Sequence, residues 1–332
     1  MHALKFMTCQ KTIIIVYLRS ISDFSICRFL RGRKMLHKLK TREYKLLLRP
    51  DRFSDSTFEK VDQFWSHRMK RLIDDELGDD QGGPRHQGRF SLEEDRIVRY
   101  WDTNDCLLTR ADLTLRERRQ IDKPTASDVC EITLKLRMPD MFIVADTDLD
   151  GNGAGPDVKF EEDIAPLEVE NSAGGGEPVT ISPARSIRSR FSLSTTKNSR
   201  WSEAIASLGT AKTLFPNLSH RSLLGTEFVP QAPLTAGPSI RELVFENAQV
   251  RFGDDVTGKF ALTLWFFDQT APKVAEISFK CRTPGGEMPG KAARHAFRLF
   301  IGMQSQLGDW INADYSSKTA LALPGNCGRS SG

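Results

Sequence analysis

Long apolar runs are missing from this sequence, and so are the compact signatures of several enzyme classes. Near the N-terminus the only apolar run is Ile13 to Leu18, too short to span a bilayer and followed by no small-residue cleavage site, so no membrane partner is expected. The six cysteines include no CxxC pair and no histidine at zinc-finger spacing. They predict reduced thiols and a cytoplasmic protein, with Cys106, Cys130 and Cys281 as small apolar fillers in strands. No GxxxxGKS, GxGxxG, GxSxG or HExxH motif occurs and the six histidines do not cluster, which removes support for P-loop, serine-hydrolase and zincin chemistry.

Basic charge is present but unevenly placed. The net charge is +4, yet residues 1–40 hold nine Lys and Arg against Asp23 alone, so the remainder is net negative. The basic balance is therefore no argument for nucleic acid. Residues 1–37 are expected to be a basic leader, disordered or an over-called start, with Met35 just before the first patterned segment. A single domain is expected over 38–323, with a long insertion at about 166–240 rich in Gly, Ser, Pro and Thr, and a tail over 324–332.

What fills the domain is strands. TREYKLLL (Thr41 to Leu48) reads as the first, followed by an amphipathic helix over Ser56 to Leu77 with Phe58, Val61, Trp65, Met69, Leu72 and Ile73 at helical spacing. IVRYWD, a segment around Leu113 to Arg118, CEITLKLRM and VKFEEDI follow, the last two expected as antiparallel neighbours. Glu242 to Phe252, Lys259 to Asp268 and Val274 to Arg282 predict three more strands in hairpin order. A last helix over Gly290 to Ile311 is expected to bury Ala293, Phe297, Phe300, Ile301, Leu307 and Trp310.

One face of these strands is ionic. Alternation puts Glu131, Thr133, Lys135 and Arg137 on one side and Ile132, Leu134, Leu136 and Met138 on the other. The same parity joins Glu43 with Lys45, Arg116 with Arg118, Lys159 with Glu161 and Asp163, and Glu276 with Ser278 and Lys280. Two helices need an apolar strand face to pack on, so the charges are predicted to point inward in a closed antiparallel β-barrel, an α+β fold with helices outside. Buried charges are costly without partners, so the interior should take a charged ligand. Arg and Lys suit phosphate oxygens, and interspersed carboxylates suit Mg²⁺ or Mn²⁺.

At these residues the sequence resembles the CYTH family, the triphosphate tunnel metalloenzymes. Glu43 and Lys45 resemble the end of its ExExK motif, YWDTNDCLL its YxDTxDxxL hairpin, and LTLRER its LRxR. EITLKLR, KFEED and AEISFK resemble its later strands, and SSKTALAL with Lys318 its closing segment. The resemblance covers roughly 38–164 and 238–323, and its specificity lies in the order of short motifs. It implies an eight-stranded tunnel, Mg²⁺ or Mn²⁺, and a phosphorylated small-molecule anion such as a triphosphate, nucleotide or polyphosphate. It also implies a metal-dependent phosphohydrolase, with a non-catalytic polyphosphate-binding module or an adenylate cyclase-like enzyme as alternatives.

In that reading Glu43 and Lys45 are catalytic, and Lys45, Arg116, Arg118, Lys135, Arg137, Lys159 and Lys280 bind phosphate. Glu43, Glu161, Asp163, Asp268 and Glu276 are the metal candidates. Thr41 and Ser278 depart from the family pattern, each replacing a glutamate where a metal would be held. A competing pattern, Asp146, Asp148, Asp150, Gly151 and Asp157, has EF-hand spacing, but Gly153 and strand-like flanks favour an acidic hairpin loop. The basic run Arg185, Arg188 and Arg190 is expected to be exposed surface charge.

Overall fold

The computed structural model describes residues 35–54, 57–79, 83–121, 129–169, 180–181, 186–253, 255–267, 270–312, 318–325 and 327–328. Residues 1–34 of the expected leader, and Asp268 and Arg185, lie outside them.

Nine strands form the barrel: β1 (Thr41–Leu48), β2 (Ser91–Asp102), β3 (Leu113–Gln120), β4 (Val129–Met138), β5 (Lys159–Pro166), β6 (Ile187–Arg200), β7 (Ile240–Glu246), β8 (Val256–Phe266) and β9 (Val274–Arg282). Their circular order is β1-β9-β8-β7-β2-β3-β4-β6-β5, and β5 pairs with β1 to complete the ring. The expected eight antiparallel strands are corrected twice. The ring has nine strands, and β1 and β5 run parallel, Thr41 opposite Glu161.

The additional strand is β6, which fell within the expected 166–240 connection. Its sequence, IRSRFSLSTTKNSR, has polar residues on both faces and lacks the aliphatic alternation that marks a half-buried strand. It inserts between β4 and β5 and pairs antiparallel with both, so those two are not neighbours. The expected strand over Glu242 to Phe252 is also two strands. Asn247, at φ 75°, ends β7, and Gln249–Gly253 forms a separate strand beside the first part of β8.

Apolar residues face outward and are covered by helices. Tyr44, Leu46 and Leu48 of β1, Leu262 and Leu264 of β8, and Ile277 and Phe279 of β9 are buried under α1 (Thr57–Phe64), α2 (Lys70–Leu77) and α6 (Gly290–Gln306). A π-turn, Trp65–Met69, joins α1 to α2, so the predicted single helix is continuous in space. Tyr44 stacks on Phe279 at 4.6 Å between ring centroids. The buried face of α6 is Ala292, Ala296, Leu299, Phe300 and Met303, whereas Phe297 is exposed. Of the expected residues Phe300 and Leu307 are buried and Trp310 packs against the same cluster, so the face is turned only in the first turns, where Ala292 and Ala296 replace Ala293 and Phe297 at the contact.

On the other side, Leu115, Ile132, Leu134, Phe160 and Leu193 are covered by α3 (Leu107–Arg110), α4 (Met141–Ala145) and residues 201–234, which include α5 (Leu208–Leu214). The expected insertion therefore supplies one barrel strand and then an outer layer.

The cysteine expectation is half corrected. Cys130 and Cys281 are buried free thiols, pushed up to about 11 and about 12 by burial. Cys106 is disulfide-bonded to Cys327 across 221 residues. A pairing between a hairpin turn and the C-terminal segment leaves no mark in local spacing. Among the described residues no helix is long and apolar enough to cross a membrane.

Candidate functional site

Strand alternation turns the predicted ionic residues into the barrel, where they meet across strands distant in sequence. Asp163 of β5 is the hub. Its carboxylate lies 2.8 Å from Lys45 Nζ, 2.7 Å from Arg137 Nη2 and 3.4 Å from Lys135 Nζ. Lys45 also reaches Glu43 Oε2 at 3.0 Å. Lys280 Nζ of β9 lies 3.0 Å from Glu161 Oε1 and 3.6 Å from Glu43 Oε2. Thr41 Oγ1 donates to the same Glu161 oxygen at 2.9 Å. Glu43, Lys45, Lys135, Arg137, Glu161, Asp163 and Lys280 are thus one network.

Burial would push these carboxyls up, but the cations outweigh it. Lys45 and Lys280 bring Glu43 down to about 2, and Lys135, Lys45 and Arg137 hold Asp163 well below the usual carboxylate range. Lys45 is raised despite its burial, by Asp163 and Glu43. Lys135 behaves oppositely. Burial exceeds the attraction of Asp163, Arg137 and Lys45 repel it further, and it falls to about 7.

Deeper in the barrel lies a second network that sequence reading missed at its centre. Glu242 of β7 accepts from Arg96 Nε at 2.7 Å and from Trp265 Nε1 at 2.7 Å, and Arg118 Nη2 is 3.5 Å away. Arg118 and Arg96 overcome burial and hold Glu242 below the carboxylate range. Burial and the neighbouring Arg116 bring Arg118 down to about 9. The sequence signal was Glu242 itself, an acid between Ile240 and Val244 on one face of the strand. Lys318 reaches Glu276 at 2.7 Å and lies over the Trp265 ring at 4.9 Å. Among the described residues the Arg116 side chain forms no ion pair or hydrogen bond, and the Nε atoms of Arg116, Arg118 and Arg137 are buried without acceptors.

Other expectations resolve differently. Lys159 is exposed at the cavity wall, outside the Asp163 network. Asp102 and Thr103 build the turn into α3: Asp102 Oδ1 accepts from the Thr103 and Leu108 amides at 2.8 Å each, and Thr103 Oγ1 from the Leu107 amide at 2.9 Å. In the acidic loop Asp148 Oδ1 accepts from the Gly151 amide at 2.9 Å and Asp150 Oδ2 pairs with Lys197 at 2.8 Å, so it is a self-satisfied turn. Of the basic run, Arg188 and Arg190 lie in β6, in register with Ala165 and Asp163, the first half-buried and the second exposed.

Mg²⁺ and Mn²⁺ ask for several oxygen ligands. Among the described residues no group of three or more His, Cys, Asp and Glu is gathered for a metal. Glu43, Glu161 and Asp163 are taken by lysines and an arginine, and Glu276 by Lys318. Among the described residues the donor set, paired in this way, does not fit such an ion.

A cavity of about 1160 Å³ opens onto the first network, lined by Thr41, Glu43, Glu161, Ser278 and Lys280. At the other end an apolar cluster of Val98, Tyr100, Ile240, Trp265 and Val274, joined by Ala322, occupies the interior face. The recess is ionic with both signs on its wall, Glu43, Glu161 and Glu287 beside Lys40, Lys280 and Arg282, and cations gather around single carboxylates at Asp163 and Glu242.

No family model and no curated protein matches the sequence. Among solved structures the chain is similar to a Hippeastrum adenylyl cyclase candidate with a dominant triphosphatase activity, at 14% identity, 85% of this chain, 94% of that one and TM-score 0.39. It is also similar to adenylate cyclase candidates from Bacillus halodurans (14%, 84% and 95%, TM-score 0.34) and Vibrio parahaemolyticus (11%, 86% and 98%, TM-score 0.30).

Proposed function

We propose that this chain is a divergent member of the CYTH family and that its barrel binds a triphosphate-class polyanion. The observation that carries the reading is the imbalance inside the barrel. Asp163 is shared by three cations, Glu242 by two guanidinium groups, and Arg116 has no acid of its own among the described residues. Cations held in a low-dielectric interior without matching carboxylates are stabilised by an anion that brings several oxygens at once. The ordered motifs of the sequence and the closed barrel agree with that class of ligand.

Binding is favoured over metal-assisted hydrolysis, because among the described residues the carboxylates are engaged by side-chain cations and gather no metal set. Arg118 and Arg116 would hold the inner phosphate, and Lys135 with Arg137 the one nearer the cavity. Inorganic triphosphate should raise the melting temperature of the wild-type protein. Arg116→Ala should weaken binding about tenfold or more, the loss of one charge-assisted contact, with the fold intact. Absence of any thermal shift or calorimetric signal with triphosphate would remove the reading.

A further inference from the structure

The mouth of the recess contains a cation supplied by the chain itself. Lys280 Nζ donates to Glu161 Oε1 at 3.0 Å and pairs with Glu43 Oε2 at 3.6 Å, bridging carboxylates of two different strands. Those oxygens have other donors as well. Glu161 Oε1 accepts from Thr41 Oγ1 at 2.9 Å, and Glu43 Oε2 is 3.0 Å from Lys45 Nζ. Asp163, next in the network, is taken by Lys45, Lys135 and Arg137.

We propose that the Lys280 ammonium stands between Glu43 and Glu161 where a divalent cation would be held, so that the barrel takes its polyanion without a metal. The inference rests on the polyanion reading above and deepens it. A dication bridging these carboxylates needs their oxygens at about 2.0–2.6 Å, within the volume the ammonium occupies, and its double charge would face Lys45 and Lys280 together. Lys280 is placed to act on a ligand. Its side chain is 39% exposed and lines the cavity, and an ammonium has three N–H donors, of which Glu161 takes one. Ser278, two residues before it on the same strand face, adds a hydroxyl to the wall instead of a carboxylate.

The test is calorimetry of inorganic triphosphate against the wild-type protein and Lys280→Ala, each in EDTA and in excess Mg²⁺, with Mn²⁺ alone followed by electron paramagnetic resonance. The wild-type should bind equally with and without metal and leave Mn²⁺ free. Lys280→Ala should bind about tenfold more weakly in EDTA, recover in Mg²⁺, and hold Mn²⁺ between Glu43 and Glu161 in the space the ammonium leaves. Wild-type binding that falls about tenfold in EDTA, or wild-type uptake of Mn²⁺ alone, overturns the inference and leaves the polyanion reading standing. No binding under any condition overturns the polyanion reading itself. Should Lys280→Ala fail to fold, Lys280→Arg, which keeps the charge, must bind triphosphate in EDTA, and its failure to do so overturns the inference.

Discussion

Two buried side chains at the residue scale show how the same interior serves stability and binding differently. Glu242 is the only described carboxylate paired with both Arg96 and Arg118, so Glu242→Ala leaves Arg118 without an acid and Arg96 with Glu94 alone, at 3.4 Å. The expected cost is about 3–5 kcal/mol, measured by urea unfolding. Triphosphate should recover part of it, because the ligand replaces the missing charge. Lys135 couples the site to pH. With its value at about 7 against an ordinary 10.5, the unfolded chain holds a proton that the folded chain has released between those limits, so this residue makes stability rise with pH across that window. Binding runs the other way. Protonated Lys135 is the form that attracts phosphate, so affinity should fall as pH rises through about 7, with proton uptake on binding at slightly alkaline pH. Calorimetry in buffers of different ionisation enthalpy checks this, and Lys135→Met should abolish the proton uptake.

At the scale of elements, β6 decides whether the barrel closes. It hydrogen-bonds β4 along one edge and β5 along the other, and Leu193 is fully buried in the outer cluster. Leu193→Pro removes a ladder donor and a core side chain together, in a strand with no free edge to absorb it. The expected loss is about 3 kcal/mol or more, with broadened unfolding seen by circular dichroism. Elements were unequally legible. TREYKLLL, with Tyr44, Leu46 and Leu48 alternating against charges, matched its observed bounds. The Ser- and Thr-rich β6 did not declare itself, because inward Ser192, Ser194 and Thr196 face other side chains inside a polar barrel and need not be apolar.

For the whole molecule, the Cys106–Cys327 bond ties the turn before α3 to the segment that delivers Lys318 to Glu276 and Ala322 to the interior cluster. Closing so long a loop restricts the unfolded chain. Reduction, or Cys106→Ser, should therefore lower unfolding stability by about 2–4 kcal/mol, read as a shift of the denaturant midpoint with dithiothreitol. The sequence alone determined the α+β class, most strand positions and the inward ionic face, because strand alternation is a local rule that each segment carries in itself. Only the tertiary structure decided that the barrel has nine strands, that β1 and β5 run parallel, and that Glu242 and Arg96 complete the interior. It also decided that Lys280 fills the gap between Glu43 and Glu161. The parallel pairing, the Glu242–Arg96 contact and the Lys280 bridge join residues more than 100 positions apart, and β6 finds its place only between two partner strands, so these energies exist only once the ring is closed.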